Sequence, residues 1–345
     1  MLVTAGMTVQ EVQRAAALDS FADDFETSVW TPGRAVLDGR SPMRQYSDEG
    51  HDGGSVYPPA ATFATLPFSL PSYRVGMVLW ALTLSAAVLG GLWLCGVRDW
   101  RCYVAAGSSP PVIAGFLYGN VSLLFVLALA LVWRWRNRAR LIGPLLGIVI
   151  AAKLFLWPVA IWLAFTRRWL AFVSSIAFAA VSSFVAWGVV SFEGLAEYPG
   201  MIRRHAEMQG QDGLSVAALA APFGETASPV VGLAAGIVAL VVAISRRRDD
   251  LGSFAWTITA ALLASPMVWT HYYSLLLVPL ALATPTWGIV WLAPFLALPQ
   301  VLDAVTGVAL AIFVAFWASS RRPPDTAASR AAAVLPVPRV ADLAR

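Results

Sequence analysis

The sequence predicts an all-α polytopic membrane protein, built as a bundle of transmembrane helices. Three observations carry that expectation. Of its 345 residues 58% are hydrophobic and only 13% charged, and the mean hydropathy is +0.68, values outside the range of ordinary soluble domains. Apolar runs of roughly 14 to 23 residues recur between short polar or Arg-bearing breaks, the length needed to cross a hydrocarbon core about 30 Å thick. The period-two alternation of membrane β-strands is absent.

Taken in order, the chain opens with residues 1–72, an extracytoplasmic first loop by this reading. Residues 1–60 hold nine acids and four arginines, the opposite bias from the later loops. Residues 1–22 lack both a basic n-region and a continuous apolar h-region, so either a helix precedes residue 1 or the following span translocates the loop; the former is the reading adopted. Residues 73–320 form the transmembrane bundle, with spans at 76–97, 102–118, 120–133, 141–166, 169–191, 229–245, 251–268, 270–284, 287–299 and 303–319. The basic clusters Arg98/Arg101, Arg134–Arg140, Arg167/Arg168, Arg246–Arg248 and Arg321/Arg322 mark the cytoplasmic loops. Residues 321–345, rich in Pro and Ala, read as a disordered cytoplasmic tail. Cys95 and Cys102 flank an inner loop, where a disulfide is not expected.

One span fails that charge test. Residues 141–166 carry basic clusters at both ends, so a straight helix would put one cluster outside. A break near "KLFLWP", residues 153–158, turns the segment into a re-entrant helical hairpin with Lys153 near its tip. Thirteen residues climb about 20 Å. A break at that depth is tolerated where it faces protein or a wet cavity. With the hairpin, the loops at Gly119-Asn120, 192–228, Trp269 and Gln300 fall on the extracytoplasmic side together with the first loop.

Several residues could carry chemistry. Lys153 is the only lysine in the chain; it either snorkels from a helix end or serves as an intramembrane cation. His271, within "SPMVWTHYYSLLLVPL" (265–280), follows a helix stop at Pro266 and is expected on the extracytoplasmic rim. There it either closes a hydrogen bond at a helix end or meets a lipid phosphate. Asp23 and Asp24 are either a solvated loop or cap pair, or a carboxylate acting as general base toward a sugar hydroxyl. Residues 192–230 suggest a short amphipathic helix on the membrane surface, its Arg203, Arg204 and His205 either an exposed basic turn or a contact for anionic lipid. No metal-ligand spacing is visible, so neither a metal nor another cofactor is expected.

The order "DF" at 24–25, a Leu-x-Gly-x-x-Pro step within "AVLDGRSP" (35–42), "YPP" (57–59), "GN" (119–120), "AAKLFLWP" (151–158) and "SPMVWTHYY" (265–273) resembles glycosyltransferase family 87, also called DUF2029, over roughly residues 21–320. The resemblance implies a GT-C-like bundle and a polyprenyl-phosphate-sugar-dependent mannosyltransferase or arabinofuranosyltransferase. It places the catalytic base at Asp24, with Asp23 adjacent. Lys153, His271 and Tyr272 become donor phosphate-binding candidates and Tyr57, Asn120 and Trp269 substrate-binding candidates, to which the reading of loop 192–230 as one wall of the acceptor groove adds Arg203 and Arg204. Two motifs depart from the family pattern: its "GQVN" is "GNVS" here, and its "KP" is spread into "KLFLWP".

The implied partners are a polyprenyl-phosphate sugar donor, a glycolipid or lipid-linked glycan acceptor, and the bilayer. The implied chemistry is a single inverting displacement on the extracytoplasmic side of the cell membrane, with Lys153 and His271 stabilising the leaving phosphate. A membrane transporter or flippase is the rival class, although no internal repeat relates the two halves of the chain; a non-catalytic scaffold is the third. The arginines border spans and form no nucleic-acid module, so no nucleic-acid partner is expected.

Overall fold

A computed structural model describes residues 22–43, 57–209, 213–224, 227–297 and 304–321. The expectations for residues 1–21, the upstream helix and the tail beyond residue 321 lie outside the described residues. Those residues are helical, with no strand among them. The described residues open with α1 (Asp23–Phe25), a π-helical turn Glu26–Trp30 and α2 (Thr31–Leu37), followed by α3 (Pro59–Thr65). The bundle comprises α4 (Tyr73–Leu94), α5 (Trp100–Gly107), α6 (Pro110–Tyr118), α7 (Ser122–Arg134), α8 (Ala139–Ala152), α9 (Trp157–Phe165) and α10 (Trp169–Val189). The loop helices α11 (Tyr198–Gln209) and α12 (Val216–Ala220) come next, then α13 (Ala227–Ser245), α14 (Asp250–Ala264), α15 (Leu277–Ala283) and α16 (Ala304–Ser320).

Three helices, α4, α10 and α13, are long and apolar enough to cross a membrane outright. All three turn large apolar residues outward, and on α13 the inner face is made of small residues alone. On α13 the buried positions are Gly232, Gly236, Ala239 and Ala243, while Val230, Val238 and Val241 are exposed. On α4, Leu82, Leu89 and Trp93 point outward, and on α10 Val181 and Phe184 do. Small residues inside and large apolar residues outside are what a helix needs when lipid, not water, covers its outer face. Close approach depends on those small residues: a Cβ at Gly236 would lie 2.8 Å from the Ala264 Cα.

Three predicted spans are built differently from the sequence reading. Residues 102–118 are two helices, because Ser108 and Ser109 end α5 and Pro110-Pro111 restart the chain as α6; proline has no N–H to continue a helix but suits its first turn. Residues 287–299 form a 3-10 segment, Ile289–Leu296, with Pro294 inside it. The stretch 270–284 likewise starts as a 3-10 turn, Thr270–Leu276, and becomes α-helical only at α15.

The segment 141–166 breaks where expected. Helix α8 stops at Ala152, Lys153 is extended (φ −156°, ψ 111°), and a 3-10 turn Leu154–Leu156 leads into α9, with Pro158 in its first turn. Helices α8 and α10 run parallel: Gly143 faces Ser174, and Gly147 faces Ser175, Phe178 and Ala179. Parallel neighbours joined through α9 require α9 to run back, and the two ends of the segment meet where Arg168 Nε donates to Asn137 Oδ1 at 3.0 Å. Arg168 also grips Asp250 through two bonds of 3.2 and 2.7 Å, and Arg136 Nε reaches the same carboxylate at 3.1 Å. The planar guanidinium matches a carboxylate in this bidentate way. This clamp lies one helix length, about 20 Å, from Lys153.

Candidate active site

The turn after α6 carries the first contacts. Gly119 caps that helix in the left-handed region (φ 68°), a conformation glycine adopts without a Cβ clash. A Cβ there would also fall 2.9 Å from Phe25 Cβ, so the turn approaches α1 closely. The Ala22 N–H donates to the Leu117 carbonyl at 2.7 Å and Trp80 Nε1 to the Gly119 carbonyl at 2.7 Å, fixing both sides. Asn120 then points at α1: its Nδ2 donates to Asp24 Oδ2 at 2.7 Å while its Oδ1 accepts from the Ser122 N–H at 2.8 Å.

Beside the Asn120 amide lies Tyr57, whose hydroxyl accepts from Lys153 Nζ at 3.0 Å. Two bonded pairs, Asp24 with Asn120 and Tyr57 with Lys153, thus bring the first loop, the Gly119-Asn120 turn and the hairpin tip together. The ammonium sits 4.6 Å from the Tyr57 ring centre and 4.4 Å from that of Tyr272, two cation–π contacts that offset part of its burial. Phe155 backs Tyr272 edge-on at 5.0 Å.

Asp24 is partly buried, and its desolvation pushes the carboxyl up to about 6, with neighbouring Asp23 adding to the rise. The Asn120 hydrogen bond and the Lys153 charge oppose the rise. A carboxyl near 6 is ionised at neutral pH yet basic enough to take a proton. Asp23 is exposed and outside both pairs; its backbone carbonyl accepts from Thr27 Oγ1 at 2.7 Å.

His271 differs from its expected place. It is 4% exposed, buried beneath the surface and not on an open rim. The cause is the 3-10 turn, which folds it against Tyr272 (ring centres 4.9 Å apart) and Tyr118 (6.3 Å), while Ser274 Oγ donates to its backbone carbonyl at 2.7 Å. Its Nε2 is buried with no hydrogen-bond partner among the described residues. Trp269 is partly buried at the start of that turn, and Arg203 and Arg204 are exposed on α11.

A carboxylate poised to lose its charge and a cation poised to meet one, each held by its own polar partner, suit a transfer to a hydroxyl with an anionic leaving group. Comparison with known proteins gives that chemistry a family. The model of glycosyltransferase family 87 matches residues 56–266. The chain belongs to glycosyltransferase family 87. This family 87 protein is therefore a membrane glycosyltransferase. It is 27% identical over 280 residues, 73% of this chain and 67% of the relative, to the polyprenol-phosphate-mannose-dependent alpha-(1-2)-phosphatidylinositol pentamannoside mannosyltransferase of Mycolicibacterium smegmatis. No solved structure matches.

Sequence reading named Tyr57 and Asn120 as substrate contacts without the bonds that tie them to Lys153 and Asp24. It also grouped His205 with the two arginines before it. His205 lies one turn after Met201, which is buried, and its Nδ1 is buried without a partner among the described residues. Helical spacing from Met201 is the signal that separates it from Arg203 and Arg204.

Proposed function

We propose that this protein transfers mannose, or arabinofuranose, from a polyprenyl-phosphate sugar to a hydroxyl of a glycolipid or lipid-linked glycan on the extracytoplasmic side of the cell membrane. The observation that carries this reading is the pairing of Asp24 with Asn120 beside that of Tyr57 with Lys153, near enough for the Lys153 charge to act on Asp24. The mannose-dependent relative favours mannose.

Asp24 takes the proton from the acceptor hydroxyl as its oxygen bonds to the anomeric carbon. The bond from that carbon to the phosphate oxygen breaks, and polyprenyl phosphate leaves with the electron pair. Lys153 and the buried imidazole of His271 stabilise the charge gathering on that phosphate. Attack opposite to the leaving group inverts a β-linked donor into an α-linked product. The lipid tail stays in the bilayer, and the hairpin brings Lys153 to the phosphate from the cytoplasmic side of the chain's path.

The test uses purified protein in vesicles with radiolabelled polyprenyl-phosphate mannose and an extracted glycolipid fraction. Asp24→Asn is expected to bind the donor and lose transfer by about two to four powers of ten, while Asp23→Asn stays close to the unaltered protein. Near-normal turnover in Asp24→Asn removes that residue as base. Donor binding followed by movement across the bilayer without turnover in the unaltered protein replaces the transferase reading with a flippase.

A further inference from the structure

We infer that Tyr273 is a positioning residue for the donor phosphate: through Leu214 it holds the turn that presents His271. The inference rests on the donor-phosphate reading of His271 above.

His271 stands on backbone that supports itself poorly. Helix α14 stops at Ala264 and the next helical turn starts at Thr270, so residues 265–269 form no helix. Carbonyls in such a stretch need donors from elsewhere, because a buried backbone polar group left unpaired is costly. A short piece of the loop before α12 supplies them. The Leu214 N–H donates to the Val268 carbonyl at 2.6 Å, and the Ser215 hydroxyl donates to the Pro266 carbonyl at 2.9 Å. The Tyr273 hydroxyl in turn donates to the Leu214 carbonyl at 2.9 Å. Leu214 thus bonds on both sides of His271, at Val268 before it and at Tyr273 after it, and brackets the turn.

Both ends of the bracket are anchored. Ser215 is buried, and its Oγ accepts from the Ala218 N–H at 3.0 Å as the cap of α12. Ser228 Oγ donates to the Ala217 carbonyl at 2.6 Å and ties α12 to α13. The Tyr273 ring is buried, and its hydroxyl lies so close to α16 at Gly307 that a Cβ there would collide with it. Held between Gly307 and the Leu214 carbonyl, Tyr273 fixes the rotation of the 3-10 turn. On that turn His271 stacks on Tyr272 with ring centres 4.9 Å apart, and the Lys153 ammonium lies 4.4 Å from the Tyr272 ring centre. The hydroxyls of Ser122 (3.4 Å) and Ser274 (2.7 Å) both reach the His271 carbonyl and not its ring. Its Nε2 is buried with no hydrogen-bond partner among the described residues. A ring nitrogen in that state is aimed by the backbone beneath it, so the setting of the turn decides how well it meets an incoming phosphate.

The test is a double-mutant cycle on binding of farnesyl phosphate, which carries the phosphate without a sugar, to the full chain in detergent. Tyr273→Phe keeps the buried ring and removes the bond to Leu214. It is expected to weaken binding about three- to tenfold, the loss of one neutral hydrogen bond. In a His271→Leu background the same change is expected to cost less than about twofold, because a residue that acts through His271 then has nothing left to aim. A role in stability alone would lower Tm in both backgrounds and leave affinity in place. Ser215→Ala, which removes the bond to Pro266, is expected to repeat the pattern and replaces Tyr273→Phe in the cycle if that variant folds poorly. Unchanged affinity in Tyr273→Phe and Ser215→Ala, or an equal loss with and without His271, overturns the inference. His271→Leu alone is the separate control. If it leaves farnesyl phosphate binding intact, the donor-phosphate reading of His271 itself fails; if it weakens binding while Tyr273→Phe does not, only the positioning role of Tyr273 is lost.

Discussion

Replacing Asn120 by Leu tests the polar site at its most informative contact. The Asn120 amide donates to the Asp24 carboxylate at 2.7 Å and holds down a carboxyl that burial has raised to about 6. A hydrogen bond to a charged group contributes about 1.5 to 3 kcal/mol, and about 1.4 kcal/mol corresponds to one pKa unit, so its loss moves Asp24 up to about 7 or 8. A base works as the carboxylate: activity is present above its pKa and disappears as pH falls through it. At pH near 7 the ionised share drops from about nine-tenths to between about one-half and one-tenth, and activity falls about two- to tenfold. Below about pH 5 the deficit widens to about ten- to a hundredfold, and near pH 9 it vanishes. The assay is the pH profile of kcat/KM for sugar transfer, with a melting curve to show that the variant folds. A deficit of the same size at every pH, or an acidic limb that stays where the unaltered protein has it, refutes the assignment of Asp24 as the base that Asn120 tunes.

Other perturbations address the scaffold. Single cysteines at Arg138 and Arg167 are expected to react with an impermeant reagent from the same side of the membrane, because Asn137 and Arg168 touch; labelling from opposite sides rejects the hairpin. Asp250→Ala strands two guanidinium groups at the clamp and is expected to cost about 1.5 to 3 kcal/mol of stability, read as a fall in Tm. Gly147→Leu would drive a side chain into the Ser175 carbonyl, where even a Cβ would lie 2.7 Å away. It should separate α8 from α10 and weaken donor binding through displacement of Lys153; unaltered binding would uncouple the tip from that contact.

The bundle was legible in the sequence because lipid-facing surface demands long apolar runs, and α4, α10 and α13 supply them. The break at Lys153 was legible for an electrostatic reason: one span with arginines at both ends cannot keep both on one side unless it returns. The 3-10 turns at 270–276 and 289–296 left no such mark, because an apolar run reads alike whether its carbonyls bond three or four residues on. In the site, Asp24, Lys153 and His271 stood out as polar groups where polarity is costly. The partners of Asp24 and Lys153 did not, because Asn120 and Tyr57 reach them across 96 residues of chain each, and no local period encodes such a contact. His205 was obscured by its arginine neighbours, although spacing from Met201 marked the docked face.

The two polar pairs also have an electrostatic logic under the proposed reaction. A polyprenyl-phosphate sugar is a diester with one negative charge, and the departing polyprenyl phosphate is a monoester that gains a second. In the same step Asp24 accepts the acceptor's proton and loses its own negative charge. The total charge of the site is then unchanged, and only its location moves, from the Asp24 end of the site to the Lys153 end. In a poorly solvated site a change of net charge is far more costly than a displacement of charge between two prepared ends. The two ends lie close enough for each to feel the other: the Lys153 charge already holds the Asp24 carboxyl down. Lys153→Met should therefore act on both. It should weaken the hold on the phosphate and also shift the acidic limb of the pH profile upward, in the same direction as Asn120→Leu. A Lys153→Met variant that loses donor affinity while its limb stays in place would show that the phosphate site and the base work independently.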